Sequence, residues 1–141
     1  MRNIITTLLI ISNLSLFSQI DLNVSMLELD NFYTNVTFQS VKEWEKPEQP
    51  NVKYFAADFG YQEYYYITDS MSIVNTCLFK LNKFRLPSLI WLYNQQYKVI
   101  KPNESWEYLI NMNYHVIVTI EKNEKIESNE YFIVHTLQFA N

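Results

Sequence analysis

The chain has 141 residues, a formal charge of −4, one cysteine and one glycine, and it carries eleven Tyr, nine Phe and three Trp. A single cysteine excludes an internal disulfide, and a single glycine excludes a glycine-rich phosphate loop. Mild acidity argues against nucleic acid or an anionic membrane as partner, so the fold is expected to be disulfide-free and held by packing.

Arg2 precedes residues 4–17 (IITTLLIISNLSLF), which hold no charge, and Ser18 sets a small residue before Gln19. A basic start, a short apolar middle and a small residue at the cut are the order of a secretory signal peptide. The run has 14 residues and includes Thr6, Thr7, Ser12, Asn13 and Ser15, short of the roughly 20 apolar residues a spanning helix needs. Leu16, three before the cut, is larger than usual there, and no cysteine nearby offers a lipid attachment site. The expectation is a signal peptide over residues 1–18, then residues 19–141 as a single β-rich domain, exported to the periplasm or the extracellular space. No later stretch is apolar enough for a membrane span after signal removal. All fifteen acidic residues and ten of the eleven basic ones lie beyond residue 18, giving that part a formal charge of −5.

Residues 20–26 alternate through Ile20, Leu22, Val24 and Met26 before Leu27 and Leu29 switch parity, which predicts a strand that bulges or ends. Residues 32–45 fit a helix through Tyr33, Val36 and Trp44 or a strand through Phe32, Val36 and Phe38. Residues 46–50 (KPEQP) read as a loop. Residues 52–68 predict two strands turning near Phe59 and Gly60, with Ala56 and Ala57 leaving room for the facing Tyr64, Tyr65 and Tyr66. Residues 72–81 predict another strand. Residues 88–97 are divided between a helix begun by Pro87 and a buried strand.

The strongest signal spans residues 106–120. Trp106, Tyr108, Ile110, Met112, Tyr114, Val116, Val118 and Ile120 fill every even position. Strand side chains alternate between faces, so this makes one apolar face and one mostly polar face. Fifteen residues would span about 50 Å, so strong coiling or a break near residues 111–113 is expected. A short helix over residues 104–110 competes locally. Residues 131–139 alternate again, and the two segments predict a hairpin pairing Ile120–Tyr131, Val118–Ile133, Val116–His135, Tyr114–Leu137 and Met112–Phe139.

The expected fold is mainly β: a single antiparallel sheet domain, sandwich or partly closed barrel. The alternative is α+β, with one or two helices, over residues 31–45 or 88–97, packed on an antiparallel sheet.

Chemistry-bearing groups are few. His115 and His135 fall on opposite faces in the favoured register, which separates them, and neither H-E-x-x-H nor C-x-x-C spacing occurs, so no metal and no cofactor are expected. His135 reads as a core histidine, His115 as a solvated one, and Cys77 as a small buried apolar residue. Residues 70–103 carry Lys80, Lys83, Arg85, Lys98 and Lys101 and no acid; residues 104–130 carry six acids against two lysines. The two segments either neutralise each other or leave a basic face among Phe84, Trp91 and Tyr97. Asn23, Asn35 and Asn103 sit in glycan-acceptor triplets, which arise by chance in an asparagine-rich chain.

Without a catalytic signature, the expected function is an exported, small, non-enzymatic binding protein with an unknown protein or surface polymer as partner. Candidate contact residues are Tyr64, Tyr65, Tyr66, Trp91, Lys80, Lys83 and Arg85, and no catalytic residue is assigned. Two alternatives compete: a small β-barrel holding an apolar ligand among Tyr108, Met112 and Tyr114, and a carboxylate hydrolase using Asp58, Glu63 or Asp69.

Overall fold

The computed structural model describes residues 20–60, 62–122 and 129–139; the expected signal peptide lies outside the described residues. The strands are β1 (Phe38–Ser40), β2 (Lys53–Asp58), β3 (Glu63–Thr68), β4 (Val74–Asn82), β5 (Lys98–Lys101), β6 (Ser105–Leu109), β7 (Tyr114–Lys122) and β8 (Glu130–Phe139). They form one eight-stranded antiparallel sheet in the order β1-β2-β3-β4-β8-β7-β6-β5. Two four-stranded meanders thus meet where β4 pairs β8. The mainly β, antiparallel expectation holds. The sheet does not close into a barrel, since β1 and β5 remain as separate edges.

Two helices accompany the sheet among the described residues, α1 (Met26–Phe32) and α2 (Leu86–Gln96), with a 3-10 turn at Lys42–Trp44. Helix α1 replaces the end of the strand expected over residues 20–26. The cause is a capping box: Ser25 Oγ accepts from the Glu28 amide at 3.1 Å, and Glu28 Oε2 accepts from the Ser25 amide at 2.7 Å. The preceding residues keep extended contact with the sheet through Asn23 N to Val74 O and Val74 N to Val24 O, both 2.8 Å. Residues 31–45 then divide among the end of α1, β1 and the 3-10 turn. Residues 88–97 are helical through Gln96: Pro87 sits in the first turn, and Leu89, Leu92 and Tyr93 are buried along one side.

One sheet face is the core. Ala57, Tyr64, Tyr66, Cys77, Phe79, Leu81, Trp106, Val116, Val118 and Ile133 cluster with Leu22, Met26 and Leu29 from the α1 side and Leu89, Leu92 and Tyr93 of α2. These strand residues share a face because directly paired residues do: Ala57 with Tyr64, Tyr64 with Phe79, Phe79 with Ile133, Trp106 with Val118.

The segment 106–120 is not one strand. Asn111 Oδ1 accepts from the amides of Asn113 and Tyr114 at 2.8 and 3.1 Å, closing a turn that folds β6 back on β7. Met112, expected on the buried face, lies in that turn and is 93% exposed. The alternation survives because the turn pairs even with even residues, Trp106 with Val118 and Tyr108 with Val116. The β7–β8 register is two residues from the expected one: Ile120 pairs Ile133, Val118 pairs His135, Val116 pairs Leu137 and Tyr114 pairs Phe139. A shift of two preserves the faces, so the burial argument fixed the parity and not the step.

Candidate functional site

The two sheet faces carry different chemistry. On the covered face, His135 is almost fully buried and bonded at both ring nitrogens, Nε2 to the Tyr93 hydroxyl at 3.0 Å and Nδ1 to the Tyr108 hydroxyl at 3.1 Å. A neutral imidazole has one donor and one acceptor, so one tyrosine donates and the other accepts. Burial lowers the His135 pKa to about 3 and holds the ring uncharged. Cys77, its cross-strand partner, is fully buried, and burial pushes its thiol well above the ordinary range. Both are core groups, as their sequence context implied.

The opposite face bears neither α1 nor α2. Its central strands present Thr76, Leu78 and Lys80 of β4, Phe132, Val134 and Thr136 of β8, and His115, Ile117 and Thr119 of β7, all buried or half-buried. Toward β1, the 3-10 turn lays Trp44 on Tyr65 with centroids 4.7 Å apart and nearly parallel rings, and sets it edge-on to Tyr54 at 6.1 Å. Lys80 Nζ lies 5.7 Å from the Tyr65 ring centre and 5.8 Å from that of Phe132, within cation–π range of both. Toward β6, His115 Nδ1 bonds Glu107 Oε1 at 2.8 Å, and Lys98 Nζ stands 4.0 Å from Glu107 Oε2. His115 is therefore half-buried and held by a carboxylate, not simply solvated.

A groove of about 460 Å³ opens at the β1–β2–β3 corner, lined by Asn35, Thr37, Gln39, Ala56, Ala57, Asp58 and Glu63. Gln39, Ala56, Asp58, Glu63 and Tyr65 all project to the open face, because Gln39 pairs Ala56, Ala56 pairs Tyr65 and Asp58 pairs Glu63. Asp58 Oδ1 accepts from the Gly60 amide at 2.8 Å, in a hairpin turn where Gly60 adopts φ +89°, a conformation that favours glycine. Burial raises the Tyr65 phenol well above its ordinary value, and its hydrogen bond to Glu63 adds to the rise.

No family model, no curated protein and no solved structure matches this chain. The site must be read from its own residues.

Of the seven expected contact residues, only Tyr65 and Lys80 meet on the open face. Tyr64 and Tyr66 are fully buried on the covered face, because a three-tyrosine run in a strand must alternate sides. Lys83 and Arg85 lie in the connection from β4 to α2, with Lys83 Nζ 5.4 Å from the Phe84 ring centre. Trp91 is 52% exposed on the outer side of α2. The charge segments partly neutralise each other: Lys98 and Lys101 of β5 meet Glu107 and Glu104.

The barrel alternative loses its cavity. The sheet is open, Met112 faces solvent, and Tyr108 is stacked on Tyr97 at 4.5 Å and bonded to His135. The three-acid hydrolase set is divided. Asp58 and Glu63 face each other, whereas Asp69 lies at the far end of β3, where its Oδ1 accepts from the Met71 and Ile73 amides at 2.8 and 3.1 Å. Among the described residues no three His, Cys, Asp or Glu side chains gather as a metal site needs, and no helix is long and apolar enough to cross a membrane.

The sequence reading missed Trp44, Asn35, Thr37 and Gln39, and the Glu107–His115 pair. The last was recoverable: both residues occupy odd positions of residues 106–120, and a turn at 110–113 sets them on adjacent strands of one face. The others follow β1, whose three residues carry no usable alternation.

Proposed function

We propose that this chain is an exported, non-enzymatic binding protein that holds a protein or a surface polymer against the open face of its sheet. One observation carries the reading: the face opposite the helices keeps half-buried apolar and aromatic side chains (Ile117, Val134, Phe132, Trp44) among hydroxyl groups and paired charges. A surface of that composition resembles the core and rim of an interface more than a solvated sheet face. The non-enzymatic part draws support from the reactive groups. Cys77 and His135 are interior and held neutral, and Asp58 and Glu63 each hold a hydrogen bond from their own hairpin.

The test is photo-crosslinking in the exporting cell, with the reactive side chain placed at Glu121 or Gln138 on the open face and at Trp91 on the outside of α2. Adducts of one discrete mass from the two open-face positions, and none from Trp91, are expected. Adducts from neither open-face position, or equal adducts from both sides of the molecule, overturn the binding surface. Turnover by the pure protein on hydrolase substrates overturns the non-enzymatic reading.

A further inference from the structure

We infer that the groove at the β1–β2–β3 corner is a subsite for a neutral, hydroxyl-rich unit of a saccharide polymer. The inference rests on the binding reading above and names the chemistry of the partner.

The shape comes first. Along one row of the open face, Ala56 stands between Gln39 and Tyr65. A methyl group flanked by two long side chains leaves a hollow, and its volume, about 460 Å³, falls within the range of small-ligand sites. The hairpin tip keeps the hollow open: Gly60, in the left-handed region, lets the chain turn while its amide pins Asp58 at the rim.

The lining then selects the ligand. Asn35 and Gln39 each offer a carbonyl oxygen and two N–H donors, and Thr37 offers a hydroxyl. None of the three side chains is engaged by another described residue. Across from them stand the carboxylates of Asp58 and Glu63, which only accept. A sugar hydroxyl both donates and accepts, so it satisfies a carboxylate and an amide at once. The other ligand classes fit less well. An anion would meet two carboxylates and no lining cation. An apolar ligand would find little beyond Ala56 and Ala57. A hard cation needs six to eight converging oxygens, and among the described residues no three His, Cys, Asp or Glu side chains gather as a metal site needs.

The sole glycine provides the readout. Its backbone amide gives the one glycine resonance in an amide correlation spectrum, and it is bonded to a groove residue. The full exported domain is titrated with neutral α- and β-linked oligosaccharides of two to six units, and separately with calcium chloride. Saturable shifts of the Gly60 amide and of the Asn35 and Gln39 side-chain amides are expected with at least one oligosaccharide, at a Kd on the order of 0.1–10 mM. Asn35→Ala and Gln39→Ala are expected to weaken binding by about tenfold or more, read on the Gly60 amide, while Trp91→Ala leaves it unchanged. The inference is overturned by no saturable shift with any oligosaccharide, by calcium alone saturating the same amides, or by both groove variants binding as the parent does. Its failure is separable from that of the binding reading. Open-face crosslinks that persist in the groove variants, with no saccharide bound, sink only the subsite. Release of new reducing ends sinks the non-enzymatic reading and leaves the subsite standing.

Discussion

Val118 and Ile117 are adjacent in β7 and meet different surroundings. Val118 is fully buried in the core, while Ile117 is half-buried on the face opposite α1 and α2. The same contrast runs through the whole sheet. The covered face holds Trp106, Tyr64, Phe79 and a histidine bonded at both nitrogens; the open face holds a lysine between two rings, a carboxylate–histidine pair and a polar groove. On the first face His135 is bonded at both ring nitrogens and Trp106 at Nε1, while Thr68 Oγ1 is buried with no hydrogen-bond partner among the described residues; on the second, polar side chains of the groove are open to solvent. On the reading proposed above, stability resides on the first and recognition on the second, and substitutions that separate the two measure how complete the division is.

The largest effect is expected at Trp106. It is fully buried against Tyr93, with ring centres 5.5 Å apart, and its Nε1–H donates to Asn94 Oδ1 at 2.8 Å. Trp106→Ala leaves a cavity between α2 and β6 and is expected to cost about 3–5 kcal/mol by denaturant unfolding. A loss under about 1 kcal/mol would mean that α2 does not pack where it stands, and the covered face would no longer differ from the open one.

The next effect is acid sensitivity from His135. Its folded pKa, about 3, lies below the ordinary value of 6.5. The unfolded chain therefore binds the proton more readily across that window. The contribution of His135 is fully present above pH 6.5 and is lost as the pH falls toward 3, at up to about 1.4 kcal/mol per pH unit. His135→Gln removes the titration. The parent is expected to be the more stable protein at pH 7, and its advantage is expected to shrink between pH 6.5 and 4. An advantage that stays constant over that range would show that water or a counter-charge reaches the ring.

Third is Val118→Thr. The hydroxyl would enter a buried site between Trp106 and His135, whose two ring nitrogens are already taken by the Tyr93 and Tyr108 hydroxyls. An unsatisfied buried hydroxyl is expected to cost about 1–3 kcal/mol, read as a lower urea midpoint at unchanged slope.

How far these assignments were legible in the sequence follows from which signals are local. Alternation read the faces correctly: the even residues Trp106, Val116 and Val118 are all fully buried, and His115 and His135 lie on opposite sides. It does not see a turn that preserves parity. A break near residues 111–113 follows from the length of the run alone, and the Asn111 turn stands there, but alternation gave no sign that the turn would expose Met112 or offset the β7–β8 register by two residues. The Ser25–Glu28 capping box is a sequence signal, but the alternation of Ile20, Leu22, Val24 and Met26 concealed it. Five successive apolar residues from Leu89 to Tyr93 satisfy both a helix and a strand, and only packing decides that Leu89, Leu92 and Tyr93 go in while Trp91 stays out. At the candidate site, the pairing of Tyr65 with Lys80 reflects aromatic and basic residues near in sequence. The groove depends on β1, a three-residue strand whose place at the sheet edge is fixed by tertiary pairing with β2.

The smallest effect bears most directly on the division. Ile117→Thr makes a related change one residue away from Val118→Thr and keeps a β-branched side chain suited to a strand. On the open face the new hydroxyl can reach water. The expected cost is about 0.5–1 kcal/mol, below that of Val118→Thr even though more apolar volume is removed. The same substitution is expected to reduce the yield of crosslinked adduct from Gln138, whose cross-strand partner His115 lies two residues along β7 from Ile117. Together the two variants form a control for each other: one strand, adjacent positions, similar final side chains and different surroundings. If Ile117→Thr instead costs as much as Val118→Thr, water does not reach residue 117. The open face would then be covered in the isolated protein, by its own chain or by a second copy. A concentration-dependent cost would identify the second copy, since dissociation on unfolding makes apparent stability depend on protein concentration and folding within one chain does not.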